Sequence, residues 1–325
     1  MEFVVCVAVN IPCAALGLVI NLFYIFCLIF PLGQTINIKQ PLSTLLVLMI
    51  FCTSLFQVSL ILHLSLGISV ASWNFKHAAQ VFMFYAVRVS IPTTLWLNIC
   101  YCIQIVPSRM TFFTWLKRNI RIVVYLFVIF TKIYFLVYFI LEYISVYGLT
   151  LDTFGVNSTA EYSEGIDGAS RIQLNQFLDV LDAVTMALVF MALTAMLGVT
   201  STTVCYLYQH IKKMTASGTS IHSQVLRNQV RVTITGVVQG LLYLLCSMGM
   251  FLDLYCTYHK YKCDWNVLWT IFCVYSLAAT LNLGVGQSQF RQRIAQLWRK
   301  ASSEYDSRLM ASTGPGILLA RQMNH

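Results

Sequence analysis

Charge is scarce in this 325-residue chain: 10% of its residues are Asp, Glu, Lys or Arg, against about 25% in a soluble domain. That scarcity leaves nothing over for a second, water-soluble domain. Other absences exclude particular chemistries. No His-Glu-x-x-His occurs, and no paired aspartates sit on facing apolar runs, which argues against a membrane protease. The last apolar run has no lysine for a retinal Schiff base, so a light-driven pump or visual pigment is excluded. Only Arg88 and Lys132 are read as lying well inside apolar runs, and they share one sign, too little for an ion or proton path. No Cys/His spacing suits a metal. No internal repeat supports the paired halves of a secondary transporter. The start lacks a basic n-region, so a cleaved signal peptide is not expected. Neither a cofactor nor enzyme chemistry is expected.

What is abundant is apolar residues, 58% of the total, gathered in seven runs: Val4–Phe30, Leu42–Ile68, Val81–Val106, Ile122–Ile144, Ala183–Leu207, Val232–Tyr255 and Trp265–Val285. Each is near the ~20 residues that carry a helix across a ~30 Å hydrocarbon layer. The reading is an all-α membrane protein, a seven-transmembrane helix bundle. Of the 21 Lys and Arg, 15 fall in the first, third and fifth connections and the tail, with four on the other face. This bias puts those segments in the cytoplasm and the N-terminus outside. The net charge of +9 is therefore topological and not a nucleic-acid surface. Asn157, in the one Asn-x-Ser/Thr sequon, falls in the outward connection Tyr147–Gln173 and is the glycosylation candidate. Most of the 11 cysteines lie within spans as small buried hydrophobes. Cys256 and Cys263 bracket a short outer loop and are the candidate disulfide.

Pro92 falls near the middle of the third run and should kink it. Trp73, in the connection before it, suits the membrane interface. After the seventh run Phe290, Ile294, Leu297 and Trp298 form an apolar stripe flanked by Arg291, Arg293, Arg299 and Lys300. That pattern marks a helix lying on the inner leaflet. The domains expected are thus a transmembrane bundle over 1–289, an amphipathic helix over 290–300 and a disordered cytoplasmic tail over 301–325.

Particular segments then carry a resemblance. Tyr101-Cys102-Ile103-Gln104-Ile105-Val106-Pro107 is followed by Phe112-Phe113-Thr114-Trp115-Leu116-Lys117-Arg118-Asn119-Ile120. The fifth run closes on Tyr206-Leu207-Tyr208-Gln209-His210-Ile211-Lys212-Lys213-Met214, His222-Ser223-Gln224-Val225-Leu226 precedes the sixth, and Leu283 to Gln292 closes the seventh. Together with Asn21 these resemble the type 2 (bitter) taste receptors, fish-like members in particular. The second run lacks that family's arginine, Ala279-Thr280 stands for its His-Ser pair, and Gln287 replaces an asparagine. The resemblance implies a chemosensory G-protein-coupled receptor at the plasma membrane. Its partners would be a small bitter agonist, a gustducin-like heterotrimeric G protein and membrane lipid, with homo- or hetero-oligomers left open. The alternatives are a type 1 vomeronasal-like chemoreceptor and, from a different class, a ligand-gated channel or transporter.

For the ligand, the candidates are Phe84, Arg88, Asp182, Phe251, Leu252, Trp269 and Phe272. Arg88 lies two to three turns into the third run, where a charge costs ~2.5–3.5 kcal/mol unless it faces a partner or a cavity. Two roles fit it: contact with a ligand's acceptor groups, or a structural pair with Asp179 or Asp182. Phe84 shares its face by the i, i+4 rule. Phe251, Leu252, Trp269 and Phe272 are wall candidates, and plain helix packing accounts for each equally well. Gln104, Trp115, Lys117, His210 and Met214 are carried over from the family as the G-protein coupling region.

Overall fold

Peptide groups left unpaired in lipid are costly, so long apolar runs become helices. The computed structural model describes residues 3–30, 42–68, 73–106, 111–153, 164–216, 224–259 and 264–312, and they are helical almost throughout. The helices are α1 (Phe3–Ile29), α2 (Leu42–Ile68), α3 (Trp73–Ile105), α4 (Thr111–Thr153), α5 (Glu164–Ala216), α6 (Gln224–His259), α7 (Trp265–Gly286) and α8 (Ser288–Ser312). The first seven are long and apolar enough to cross a membrane.

Several helices overrun the apolar runs that mark them. Most of the expected outward connection Tyr147–Gln173 is helical, because α4 continues to Thr153 and α5 begins at Glu164. Hydropathy reports the thickness of the hydrocarbon, whereas a helix extends into water as long as its residues allow. Likewise α8 runs on to Ser312, so residues 301–312 are helical where a disordered tail is expected; 313–325 lie outside the described residues. Asn157 and Cys263 also lie outside them, and with Cys263 the proposed pairing of Cys256. Helix α3 continues without interruption through Pro92.

The packing makes α3 the central helix. It touches α2, α4, α5 and α6, and 78% of its most apolar window is buried, against 22% for α1, α4 and α5. Its interior hydroxyls are satisfied within the helix: Ser90, Thr93 and Thr94 donate to the carbonyls of Val87, Val89 and Ser90 at 2.8–2.9 Å. Helix α1 lies against α2 and α7, and α6 against α5 and α7. Asp264 caps α7, its carboxylate accepting from the Asn266 amide at 3.1 Å. Gln287, in extended backbone, turns the chain from α7 into α8.

Polar ties cross the apolar core. Asn21 on α1 donates to Thr53 (3.1 Å) and Gln57 (3.0 Å) on α2, and Gln57 donates on to Ser276 of α7 at 3.3 Å. Close approach reinforces the tie, since a Cβ at Gly17 would run into the Gln57 side chain. Interhelical hydrogen bonds in membrane proteins contribute ~0.6 kcal/mol on average and up to ~1.7. Asn21→Leu, which removes two, should lower stability by about 1–2 kcal/mol, read as a lower melting temperature of the detergent-solubilised protein. An unchanged melt would mean the tie contributes nothing.

Helix α8 splits its apolar stripe. Phe290 is buried and stacks on Tyr24 of α1, ring centroids 4.3 Å apart. Ile294, Leu297 and Trp298 remain exposed.

Candidate functional site

At the end of the bundle away from α8, one cation draws three helices together. Arg88 of α3 is buried, and its guanidinium lies 3.6 Å from a Glu142 carboxylate oxygen on α4 and 3.7 Å from Asp182 on α5. The Tyr138 ring of α4 underlies the guanidinium at 4.2 Å, and the Tyr138 hydroxyl donates to Asp182 Oδ1 at 2.6 Å. A guanidinium presents a flat face to an aromatic ring and a fork of N–H donors to carboxylates, so this geometry uses both. Asp253 of α6 interacts electrostatically with Arg88, Glu142 and Asp182. The cluster therefore holds one cation among three acids. Arg88 Nε has no hydrogen-bond partner.

Of the two roles open to Arg88, the pair with Asp182 is present; Asp179 is not its partner. Glu142 and Tyr138 were not foreseen. Glu142 lies inside the fourth apolar run, so the reading of Arg88 and Lys132 as the two intramembrane charges is incomplete. Pairing rules along one helix could not find it, because the partner comes from another helix. Lys132 is exposed on the bundle surface.

Phe84, one turn from Arg88, begins an aromatic group. Its ring lies 5.9 Å from the guanidinium and 6.0–6.3 Å from the rings of Trp265, Trp269 and Phe272 on α7. Trp269 also stacks on His63 of α2 at 4.5 Å. Thus Phe84, Arg88, Asp182, Trp269 and Phe272 are brought together, while Phe251 is half-buried against the same core. Leu252 points the other way: it is 43% exposed, on the outer surface of α6. Trp265 and His63 belong to the group although neither stood among the expected residues.

At the opposite end the expected coupling residues lie near helix termini: Gln104 near the end of α3, Trp115 and Lys117 in the first turns of α4, His210 and Met214 near the end of α5. Gln104, Trp115 and Lys117 are exposed. His210 is half-buried beside Tyr206, with Nδ1 lacking a partner. The crevice between α3, α5 and α6 here, lined by Asn98, Tyr101, Ile105, Thr203 and Gly236 among others, measures about 10 Å³. That is room for about one water, so among the described residues this crevice between α3, α5 and α6 is closed. Gln287, standing in for an asparagine, donates to the Tyr101 hydroxyl and ties the α7–α8 corner to α3.

The model of the taste receptor protein (TAS2R) family matches residues 2–302. The chain belongs to that family. This taste receptor is a chemosensory G-protein-coupled receptor and a multi-pass membrane protein, not an enzyme, and the vomeronasal-like alternative falls away. Among solved structures it is similar to squid rhodopsin, at 12% identity and a TM-score of 0.50, over 93% of this chain and 87% of that one. At such low identity the likeness speaks for the seven-helix fold alone. No curated protein matches the sequence.

Proposed function

We propose that this receptor takes a small, mostly apolar bitter compound against Phe84, Trp265, Trp269 and Phe272, with Arg88 and its carboxylates supplying the polar end. The observation that carries the reading is the meeting of that aromatic group with a buried, multiply paired arginine at one end of the bundle. Apolar walls with a few convergent polar groups are the usual make-up of a small-molecule site. Because Glu142 and Asp182 already face Arg88, an anionic ligand must displace a carboxylate to reach it. The excess of acid favours neutral and cationic compounds.

Ligand binding at this cluster would bias the relative positions of α3, α4 and α5, the helices the ion pairs join. At the other end a partner helix needs space that the closed crevice lacks, so binding must favour an opened state. Gln104, Trp115, Lys117, His210 and Met214 would then meet a gustducin-like heterotrimeric G protein. This orientation goes with an outward N-terminus, glycosylation at Asn157 and residence in the plasma membrane. Calcium release in cells carrying a promiscuous G-protein chimera, challenged with a panel of bitter compounds, tests the reading. Agonist-dependent release is expected. Agonist-dependent current in cells without the chimera, and no calcium release with it, would favour a channel instead.

A further inference from the structure

Between α6 and α7, near α8 and remote from Arg88, runs a groove of about 600 Å³. Arg231, Ile234 and Val238 line it from α6, and Ala278, Leu281 and Val285 from α7. Ile234, Leu281 and Val285 are 58%, 47% and 56% exposed, so the groove opens outward from the bundle. In a bilayer its apolar length faces lipid tails. Small Ala278 leaves room at one end. At the other, α7 closes on α6: a Cβ on Gly286 would come within 2.8 Å of Thr235. Asn282 also lines the groove, but its amide is turned inward to the Thr235 carbonyl and Gln239.

The closed end is basic. Arg231 is part of the groove wall. Arg291, in the first turn of α8, donates to the carbonyls of Val285 and Gly286, which fixes it at the same corner. Burial, and after it the positive charge of Arg231, lowers the pKa of Arg291. Among the described residues no carboxylate pairs with either. Two adjacent cations attract an anion, and the apolar slot that continues from them accepts a chain.

We propose that this groove binds one anionic phospholipid of the cytoplasmic leaflet, its net-negative headgroup at Arg231 and Arg291 and one acyl chain along Ile234, Val238, Leu281 and Ala278. Charge complementarity selects this occupant: a sterol would leave the arginines unneutralised, and a free anion would leave the apolar slot empty. A bound chain would wedge α6 and α7 at the end where an opened receptor must part its helices. The lipid thereby becomes a regulator of opening, independent of which compound binds at Arg88.

Native mass spectrometry of the purified full chain in detergent tests this, titrated with dioleoylphosphatidylserine, with dioleoylphosphatidylcholine, and with tail-less glycerophosphoserine. Each basic residue near an anionic lipid is worth about fivefold in affinity. One phosphatidylserine should therefore bind about tenfold or more tightly than phosphatidylcholine, and glycerophosphoserine should not be retained. Arg231→Gln with Arg291→Gln should remove that preference. Ala278→Phe, which keeps both arginines and fills the slot, should weaken both lipids. Arg299→Gln with Lys300→Gln, exposed farther along α8, should leave binding unchanged. If the arginine double variant fails to fold, the Ala278→Phe result decides alone. Phosphatidylserine binding that is indifferent to the arginine pair or to Ala278→Phe would overturn the proposal, as would retention of glycerophosphoserine equal to that of the lipid.

Discussion

Arg88→Leu is expected to be the most damaging single substitution in the half of the bundle away from α8, lowering stability by about 3 kcal/mol. The change removes a cation and strands Glu142 and Asp182 near each other, with Asp253 adding to the repulsion. Breaking a wholly buried pair by deleting one partner costs ~3–5 kcal/mol. The lower end applies because the two carboxylates keep 27% and 30% exposure. The variant should show a lower melting temperature in detergent and a reduced surface level. Adding Glu142→Gln and Asp182→Asn should restore much of the loss, since the stranded charges are then gone. Arg88→Lys should be intermediate: it keeps the charge but loses the flat face over Tyr138 and the forked donors. A melt of Arg88→Leu within a degree of the parent would mean the cluster is not an organising feature of the fold.

Gly284→Val should come next. Gly284 on α7 sits against Tyr24 of α1, and a Cβ there would overlap the Tyr24 hydroxyl and come within 3.0 Å of the ring carbon that bears it. Tyr24 cannot yield cheaply. It is 3% exposed, stacks on Phe290 of α8, and donates to the Thr280 carbonyl at 3.1 Å. Overpacking of this kind costs ~1–3 kcal/mol, and moving Tyr24 also forfeits a stacked aromatic pair worth ~0.5–1.5. The expected loss is about 2–4 kcal/mol, seen as lower surface expression and an earlier thermal transition. Gly198→Val is the matched control, because a Cβ there meets nothing within 4 Å; it should be near neutral. Tyr24→Phe in the Gly284→Val background should recover part of the loss by removing the hydroxyl that overlaps the new side chain. Equal effects at Gly198 and Gly284 would refute the steric account.

How much of this was open to reading in the sequence differs by feature. The seven spans were legible because hydrocarbon tolerates few charges, and runs of that length are rare elsewhere. The ends of α4, α5 and α8 were not, because the helix code continues into water after the hydropathy signal stops. Arg88 stood out as a lone charge in an apolar run, and Phe84 followed by helical spacing. Its partner Asp182 was one of two acids considered on the next helix but one. Glu142 and Tyr138 stayed hidden, because only the way α4 lies against α3 and α5 brings them to Arg88. Leu252 shows the converse failure: adjacent to Phe251 in sequence, it is rotated by one residue's turn onto the outer surface of α6. The departures from the family pattern have structural answers also. Gln287 reaches Tyr101, and Asn21 finds Thr53 and Gln57 in a second helix without an arginine.

The central claim is that a compound held at the Arg88 end opens a closed crevice at the other. Nucleotide exchange by a purified heterotrimeric G protein, measured with the receptor reconstituted in lipid nanodiscs, tests it most directly. The account predicts that an agonist found in the cell screen accelerates exchange. It predicts further that Phe84→Ala, compared at matched amounts of folded receptor, shifts the agonist dose-response by about tenfold or more. Agonist that binds the reconstituted receptor without any change in exchange rate would contradict it.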